Sequence, residues 1–598
     1  MMKRTLTFFV LLIIALPLPV MARTTPLQTA CGETATLIHE IQGTDATSTI
    51  TGQTVIIEGI VTGEFLRGLD GFFMQEEIDQ QDDDPTTSEG IFVYGDKVDV
   101  MPGDVVRVEG KVFEYSAGSD GTYLTEIRRP SSVTVCSTGV SASPVELDLP
   151  VANLEAYEGM LVTIPEPLTL NDLYNLGRYS EIVLSPDGRL VQPTQVVAPG
   201  PDAVAMQAEI DQRRLVLDDG SSTENPDFIP YPSGGLSAAN TVRAGDTITG
   251  LTGVIDHAYS DYLIYPTEPF DFTVTNPRPA APDEVGGSVR VASLNLLNYF
   301  NGTKFPTPRG ASNPDEFTRQ RDKTINVILE LNADVIAVME MENDGSGPDS
   351  AMADLVNGLN AIAGEGTYAY IPDPEDYPLP DEGGDDIKNA ILYRPAAVIP
   401  VEASMADYDP IHNRPPVAQT FDVVATGERF SVIAVHFKSK GCTDARGDDG
   451  DQDDGQSCYN GTRTRQADAL LAFVEVVQSQ SWDNDVLLMG DFNAYAMEDP
   501  IQTILAAGFT DTAEHFVPGD YSYVYMGQMG TLDYILASPS LMPQLTGATH
   551  WHINADVARV LDYNEEYKTD EHVEAYYDPA PYRAADHDPV LIGLELAE

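Results

Sequence analysis

The hydrophobic pattern of the chain changes at a proline-rich segment, residues 276–282, and this change limits what each side can fold into. Before the segment, short apolar runs such as residues 55–61 alternate in the manner of strands and are separated by glycine-rich turns. From Ser288 onward, strand-like runs alternate with helix-like segments, for example around residues 319–331 and 463–477. The pattern predicts β-rich modules followed by a layered α/β domain of roughly 310 residues.

The N-terminal part divides into two β-rich regions. About five short strands are expected over residues 31–138, with Gly103-Asp104 before a central strand, and this order resembles OB-like domains of bacterial extracellular nucleases. Such a barrel binds oligonucleotides on one face or serves as a solubilising or docking module, and both interpretations stay open. Residues 140–280 are expected to form a second β-rich module, for which an OB-like fold is one option, because residues 243–250 echo residues 101–108.

Residues 1–22 have the features of an export signal. Lys3 and Arg4 precede a short apolar run, and Ala22 ends a small-residue cleavage site. The run is too short to span a bilayer, and no later segment is long and apolar enough to do so. We therefore expect a soluble protein that is secreted to the extracellular space or the periplasm.

The chain has four cysteines, Cys31, Cys136, Cys442 and Cys458. An even, low number in an exported chain favours disulfides, and the absence of C-x-x-C spacing argues against a zinc site. Four cysteines allow three pairings. We favour Cys31–Cys136, which brackets the first β-rich region, and Cys442–Cys458, which closes a short loop.

The composition is strongly acidic, with 94 Asp and Glu against 33 Lys and Arg and a formal net charge of −61. Tight non-specific binding to nucleic acid needs a basic face that releases counterions, so the composition argues against it. It suits solubility in salt and the capture of divalent cations. The loop between Cys442 and Cys458 holds six aspartates; a solvated loop and a structural Ca²⁺ site both remain open, although the EF-hand spacing is missing.

Six short motifs lie where the strands of the C-terminal domain are expected to end. In chain order they are Ser293-Leu294-Asn295, Val338-Met339-Glu340, residues 435–440, Gly490-Asp491-Phe492-Asn493-Ala494, Thr531-Leu532-Asp533-Tyr534 and Ala585-Asp586-His587-Asp588. In this order they resemble the endonuclease/exonuclease/phosphatase superfamily, which includes deoxyribonuclease I. Residues 340–343, 436–441 and 552–556 look closer still to the ExeM/NucH type of bacterial extracellular nuclease. The resemblance covers residues 288–598 and implies an α/β catalytic domain, a four-layer β-sandwich flanked by helices.

The resemblance and the chemistry of phosphodiesters together imply a divalent metal. A phosphodiester is anionic, so its hydrolysis needs positive charge opposite the developing negative charge. Glu340 and Asn295 offer hard oxygen ligands that suit Mg²⁺ or Mn²⁺, and Asp586 completes or supports this set. Glu342 is ambiguous: it is expected either to support the site from outside the ligand set or to be exposed. Ala585 stands where the family often has serine, a change that is expected to tune activity without abolishing it.

The resemblance also implies the catalytic roles. Asp491 would accept the proton of the attacking water, with Asn493 holding the water or the phosphate. His587 would bind the scissile phosphate, and Asp533 would hydrogen-bond its other ring nitrogen, which fixes the tautomer and raises the pKa. His436 would be a second donor on the phosphate side. The candidate substrate-binding residues are Lys438, Lys440 and Arg465.

The leading functional hypothesis is a secreted, metal-dependent nuclease that acts on DNA, with RNA as a further substrate. A phosphatase or phospholipid phosphodiesterase on the same scaffold is the alternative, because all these enzymes cleave P–O bonds with the same constellation. A lipid enzyme should show an exposed aromatic or apolar hairpin, and no such hairpin stands out in the sequence. A catalytically inactive binding module is a third hypothesis, which the intact motifs argue against. No protein partner is inferred.

Overall fold

The computed structural model describes residues 30–596 except 83, 96–97, 117–122, 152 and 303. The expected signal peptide, residues 1–22, lies outside the described residues. Within them, no helix has the length and apolar character needed to cross a membrane. The described residues fall into three regions, called here the barrel (up to residue 138), the middle module (residues 140–280) and the C-terminal domain (from residue 288).

The barrel is a closed sheet of five strands. Its elements are α1 (Ile38–Gln42), β1 (Thr54–Phe65), β2 (Gly71–Gln75), β3 (Gly90–Tyr94), β4 (Val105–Tyr115) and β5 (Leu124–Ser137). The strands close in the order β1-β2-β3-β5-β4, around a core that includes the fully buried Ile57, Val108 and Ile127. The predicted Cys31–Cys136 disulfide is confirmed and ties the segment before β1 to the end of β5.

The middle module is built on a nine-stranded sheet. Its elements are β6 (Val145–Glu146), β7 (Leu161–Ile164), β8 (Leu168–Asp172), α2 (Leu176–Tyr179), β9 (Ile182–Ser185), β10 (Leu190–Val191), α3 (Pro193–Val196), α4 (Pro201–Arg213), β11 (Leu215–Leu217), β12 (Thr247–Ile248), β13 (Leu251–Ala258), β14 (Asp261–Pro266) and β15 (Phe272–Thr273). The sheet order is β15-β12-β8-β9-β11-β14-β13-β7-β6. Gly245-Asp246 precedes a strand of two residues, whereas Gly103-Asp104 precedes one of eleven, so the echoed sequences serve different structures.

The barrel and the middle module share an apolar cluster. Phe73 and Phe92 of the barrel pack with Leu161, Val254 and Tyr265 of the middle module. The ring centroids of Phe73 and Tyr265 lie 5.9 Å apart. This shared buried cluster joins the two β-rich regions, each of which also has an apolar core of its own.

The C-terminal domain contains the remaining elements. They are β16 (Val289–Tyr299), α5 (Pro314–Leu331), β17 (Val335–Glu342), α6 (Ala351–Ala363), β18 (Ala369–Tyr370), β19 (Ile387–Tyr393), β20 (Val398–Ala406), β21 (Val417–Val423), β22 (Arg429–His436), α7 (Asn460–Ser481), β23 (Val486–Asp491), α8 (Asp499–Ala506), β24 (Thr510–Asp511), α9 (Thr512–Phe516), β25 (Tyr523–Tyr525), β26 (Gln528–Gly530), β27 (Asp533–Ala537), β28 (Leu545–His550), α10 (Asp570–Tyr576) and β29 (Val590–Leu594). Two six-stranded sheets have the orders β18-β19-β17-β16-β29-β28 and β20-β21-β22-β23-β27-β24.

The two sheets pack face to face, with helices on the outer faces. Val291 and Ile592 of the first sheet pack with Leu487 of the second in one buried cluster. Apolar residues of α5 and α6 cover the other face of the first sheet, and those of α7 and α8 cover the second. The result is a helix–sheet–sheet–helix arrangement, which confirms the expected α/β fold class with β-rich modules before it. The Cys442–Cys458 disulfide is also confirmed.

Candidate active site

Three of the predicted site residues lie side by side on neighbouring strands of the second sheet. β22 and β23 are parallel, and their register places His436 beside Asp491. β27 is antiparallel to β23, and the register places Asp533 on the other side of Asp491. Each of the three side chains is almost fully buried. The strand termini therefore bring together residues that are far apart in the sequence, since His436 and Asp533 are separated by 97 positions.

Gly490 explains why the motif needs glycine before Asp491. Its φ angle is +144°, and a Cβ atom there would lie 1.9 Å from the carbonyl oxygen of Val435. Any side chain would therefore push β23 away from β22. Glycine allows the two strands to approach, so that the carboxylate of Asp491 comes within 3.4 Å of Nε2 of His436.

His587 is held by a short hydrogen bond to Asp533. Its Nδ1 lies 2.7 Å from Oδ2 of Asp533, and the same carboxylate oxygen accepts a 2.8 Å bond from the hydroxyl of Ser522. Because Nδ1 makes this hydrogen bond, the other ring nitrogen, Nε2, is left for a different partner. The ring of Tyr523 packs on His587 with 4.5 Å between centroids. This is the orientation that the sequence-based role of Asp533 requires.

The loop that carries Asp586 and His587 is fixed from the segment 552–556. The amide of Asn554 donates to the carbonyl oxygen of His587 at 2.6 Å and accepts from the backbone of Ala584 at 2.9 Å. Asp588 accepts from the backbone nitrogens of Asn554 and Ala555 at 2.7 and 3.1 Å. The resemblance singled out this segment, and its contacts explain its value in positioning His587.

Glu340 reaches the site through an irregularity between β16 and β17. Residues 296–298 of β16 lie opposite the single residue Glu340, because the register shifts between Asn295 and Tyr299. Glu340 and Asn298 both have positive φ angles, +63° and +57°, and the backbone N–H of Asn298 donates to the Glu340 carboxylate at 2.9 Å. Such strained residues persist only where surrounding contacts hold them, and they cluster at functional sites.

Burial and neighbouring carboxylates raise the pKa of two acids of the site, Glu340 and Asp491. Burial raises the pKa of Glu340, and repulsion from Asp586 raises it further. Burial also raises the pKa of Asp491, with a contribution from Asp533 and an opposing one from His587. Burial alone would lower the pKa of His587, but Asp533, Asp586 and Asp491 raise it well above its usual value. The carboxylates of Asp533, Asp586 and Asp491 therefore favour the protonated form of His587.

His436 differs electrostatically from His587. Burial lowers the pKa of His436 well below its usual value, and the nearby cations Arg414 and His587 lower it further. Its Nδ1 is buried without a hydrogen-bond partner. His436 is therefore neutral at pH 7 and can donate a proton from one nitrogen only, so it is a hydrogen-bond donor without a charge.

Two of the three predicted substrate-binding bases are engaged in other contacts. The ammonium of Lys440 donates to both oxygens of the buried Glu498 at 2.6 Å, which assigns it to an ion pair instead of an open surface. Arg465 is half-exposed and lies 3.4 Å from Asp449. Lys438 stays close to the strand end, with its ammonium 4.5 Å from the ring centroid of Tyr459.

Arg414 is a residue of the site that no sequence motif revealed. Its guanidinium is buried and donates to the carbonyl oxygens of His436 and Phe437. The interactions that shift its pKa include those with Glu340 and Asp491, so its charge acts on both sides of the site. The only local signal is a basic residue before Pro415-Pro416, and it does not lie at the end of a strand. Sequence spacing could not have linked it to the site.

Two aspartates of the acidic loop between Cys442 and Cys458 accept hydrogen bonds from nearby residues. Asp449 accepts from the backbone and hydroxyl of Thr462, both at 2.9 Å, near the start of α7. Asp454 accepts from the backbone of Gln456 at 3.0 Å. These contacts give the two aspartates structural roles at a helix terminus and a turn.

The donor set of the site suits a divalent cation. Among the described residues, one group brings three potential ligand atoms within 4.8 Å of one another: Asp491, Asp533 and His587. This group differs from the predicted set Glu340, Asn295 and Asp586. The 2.7 Å bond between His587 and Asp533 makes those two a hydrogen-bonded pair. The carboxylates of Glu340 and Asp586 instead offer hard oxygens whose mutual repulsion a cation would relieve.

Most of the C-terminal domain is similar to one known protein family. Residues 292–587 match the model of the Endonuclease/Exonuclease/phosphatase family. Its members are hydrolases of phosphoester bonds and typically depend on divalent metals. Residues 151–277 match a Domain of unknown function (DUF8508). No curated protein matches the chain significantly.

Several solved structures are similar to this domain. An endonuclease/exonuclease/phosphatase from Bacteroides vulgatus is 16% identical, with 52% of this chain and 98% of that chain covered and a TM-score of 0.33. The catalytic domain of human Nocturnin with a bound sulfate anion is 15% identical, with coverages of 53% and 98% and a TM-score of 0.34. Mannosyl-6-phosphatase Bt3783 from Bacteroides thetaiotaomicron is 17% identical, with coverages of 52% and 100% and a TM-score of 0.33.

Proposed function

We propose that this protein is a secreted, metal-dependent nuclease of the ExeM/NucH type that hydrolyses phosphodiester bonds of DNA, with RNA as a further substrate. The observation that carries the proposal is the buried cluster of Asp491, Asp533 and His587 beside the carboxylates of Glu340 and Asp586. A carboxylate base, an oriented imidazolium and a separate pair of hard-oxygen ligands are the parts that phosphodiester hydrolysis requires.

The proposed mechanism begins with Asp491. Its carboxylate accepts the proton of the attacking water, and Asn493, whose backbone nitrogen donates to Asp491 at 2.8 Å, holds the nucleophile or a phosphate oxygen. Nε2 of His587 donates to the phosphoryl oxygens, because Nδ1 is bonded to Asp533. His436 adds an uncharged donor on the same side. A divalent ion supplies positive charge opposite the phosphate when bound, and Glu340, Asn295 and Asp586 would hold it.

Nucleic acid is favoured as the substrate over a phosphomonoester or a lipid. The ExeM/NucH-like segments 340–343 and 552–556 support it, and so does a closed five-stranded barrel in the same chain. Contrary to the expectation from the sequence, the structure has an exposed apolar hairpin tip: Tyr525 and Met526, at the turn between β25 and β26, are 54% and 58% exposed. A lipid enzyme would also expose apolar groups, so vesicles belong among the test substrates.

The test is a substrate panel. The purified full-length mature protein is given plasmid DNA, linear DNA, RNA, a phosphomonoester and phospholipid vesicles, each with Mg²⁺, Mn²⁺, Ca²⁺ or chelator. We expect cleavage of nucleic acid that needs a divalent ion and is lost in Asp491→Asn. Faster turnover of the phosphomonoester or the vesicles than of any nucleic acid would overturn the proposal in favour of the alternative enzyme class.

A further inference from the structure

A short hairpin carries two tyrosines from His587 toward solvent. β25 and β26 pair around the turn Met526-Gly527, where both φ angles are positive, as in the tight turns typical of two-residue hairpins. Tyr523 and Tyr525 are two positions apart on β25 and so lie on the same face, about 7 Å apart along the strand. Tyr523 packs on His587, whereas Tyr525 is 54% exposed.

The electrostatic neighbours of Tyr523 indicate that the face of β25 with Tyr523 and Tyr525 lies beside the candidate active site. The groups that raise its pKa, after burial, include Asp586, Asp491 and Tyr525. Tyr495, in the segment that follows Asn493, interacts with Tyr523, Tyr525 and Asp491 in the same way. Tyr525 is therefore the next aromatic group outward from the residue that is proposed to bind the scissile phosphate.

The middle module holds the hairpin in place. β10 pairs in parallel with β26, with Leu190 beside Gln528 and Val191 beside Met529. The guanidinium of Arg214 donates to the carbonyl oxygen of Met526, at the tip of the turn, at 2.7 Å. Because β26 is hydrogen-bonded on both sides and the turn is bonded at its tip, the backbone of the hairpin is held in place. The side chain of Tyr525 therefore loses little entropy when it makes a contact.

A stacking contact would compensate for the weak electrostatic attraction between this acidic chain and the phosphates of a nucleic acid. The chain has a formal net charge of −61, Lys440 is paired with Glu498, and Arg465 lies beside Asp449. Attraction between cations and phosphates therefore contributes less here than in a basic nuclease. Aromatic rings that stack on bases bind nucleic acid without regard to sequence and without added positive charge.

We propose that Tyr525 stacks on the base of the nucleotide next to the phosphate held at His587, and that the enzyme therefore prefers single-stranded or unpaired nucleotides. The preference follows because a base within a duplex is already stacked on its neighbours and must be unpaired before Tyr525 can reach it. This inference rests on the proposed nuclease function and names the substrate class of the same site.

The experiment uses short oligonucleotides with a single natural phosphodiester, the other linkages being methylphosphonates. One form has all bases, and two others lack the base on the 5′ or the 3′ side of the natural linkage. The full-length protein is compared with Tyr525→Ala, Tyr525→Phe and a control, Tyr567→Ala, which removes a tyrosine that is 83% exposed elsewhere in the C-terminal domain. Circular dichroism checks the folding of each variant.

Stacking predicts that Tyr525→Ala raises KM for the complete oligonucleotide about 5- to 150-fold while kcat changes little. Tyr525→Phe and Tyr567→Ala should keep the KM of the wild type. On one of the two abasic forms, wild type and Tyr525→Ala should have the same KM, because the partner of the ring is gone. The wild type should also cleave the complete single strand with a higher kcat/KM than the same linkage in a duplex.

Two results would overturn the inference, and they separate it from the proposed function. If Tyr525→Ala is folded and its KM equals that of the wild type, or rises equally on all three oligonucleotides, Tyr525 does not stack on a base although the protein is a nuclease. If the wild type cleaves no oligonucleotide with any divalent ion, the nuclease function fails and the stacking falls with it. If Tyr525→Ala does not fold, two other measurements test the inference. The first is KM of Tyr525→Ser, and the second is KM of the wild type on the abasic compared with the complete oligonucleotides.

Discussion

At the scale of single residues, Asp491 and His587 carry the largest expected effects. General base catalysis contributes about 10²–10⁴-fold, so Asp491→Asn should lower the single-turnover cleavage rate by at least that order while substrate binding is nearly unchanged. His587→Ala should do likewise. Because both act on one transition state, the double variant should lose far less than the product of the two losses. His572→Ala, a histidine bonded to the Asp227 carbonyl, is the control.

Near wild-type cleavage by folded Asp491→Asn would show that the active site lies elsewhere. Asp533→Asn should give a smaller defect than His587→Ala. It keeps an acceptor for Nδ1 of His587 but removes the charge that raises the pKa of that ring.

Metal dependence is a second prediction at this scale. Glu340→Gln keeps the shape of the side chain and removes its charge, so the divalent-ion concentration for half-maximal activity should rise about tenfold or more, by analogy with losses at ligand-supporting residues. Glu342→Gln is the matched control, because Glu342 accepts instead from the backbone of Asn301 at 3.1 Å. A metal titration of both variants measures the effect. Full activity of the wild type in excess chelator would contradict the metal-assisted mechanism.

At the scale of elements, the segment around α3 supports the loops of the site. Oε1 of Gln195 accepts from the backbone of Thr531 at 3.0 Å and of Ala496 at 3.4 Å, which joins the loop before Asp533 to the loop after Asn493. Leaving such backbone donors unpaired costs about 1–3 kcal/mol. Gln195→Ala should therefore lower thermal stability and reduce kcat, since the loops that carry catalytic groups lose their tie.

Two variants control this prediction. Gln195→Glu retains an acceptor oxygen and should recover most of kcat. Gln207→Ala on α4, where the side chain bonds within its own helix to Asp211, should leave kcat unchanged. Equal kcat in Gln195→Ala and Gln207→Ala would mean that the middle module does not position the site.

At the scale of the whole molecule, the junction of barrel and middle module holds protonatable acids. A cavity of about 520 Å³ at this junction is lined by Glu126 and Asp218, among others. Burial raises the pKa of Glu126 to about 7 and that of Asp218 to about 8. The folded state therefore binds protons that the unfolded chain releases above pH 4, so this contribution to stability falls as pH rises from about 4 to 8.

Asp218→Asn tests this junction. The amide is neutral in both states, so the variant should gain stability relative to the wild type as pH rises from 4 to 8, with a shift in Tm of about 2–4 °C for each kcal/mol. Asn at this position can still accept from Gly220, as Asp218 does at 2.6 Å. Asp202→Asn, at the exposed start of α4, should leave the pH dependence in place. A constant difference in Tm across this range would contradict the assignment.

Much of the fold follows from local patterns. The periodicity predicted strands and helices within a few residues of those observed, such as α7, expected over 463–477 and found at Asn460–Ser481. Helix and strand patterns are local because each side chain is placed by its own segment, so a single sequence suffices to detect them. The polar motifs near strand termini likewise indicated which residues meet: His436 and Asp491 end two parallel strands, and Asp533 begins the antiparallel strand beside them.

The sequence alone predicted the division into β-rich and α/β parts and singled out the candidate residues His436, Asp491, Asp533 and His587. It favoured, among three possible pairings, the two disulfides that the structure contains. The tertiary structure decided what depends on distant contacts. It placed Glu340 through a register shift, assigned Lys440 to Glu498, brought Arg414 behind His436, and joined β10 to a hairpin more than 300 residues later. No local pattern encodes such pairs, because their energy comes from burial and charge among residues that only the folded chain brings together.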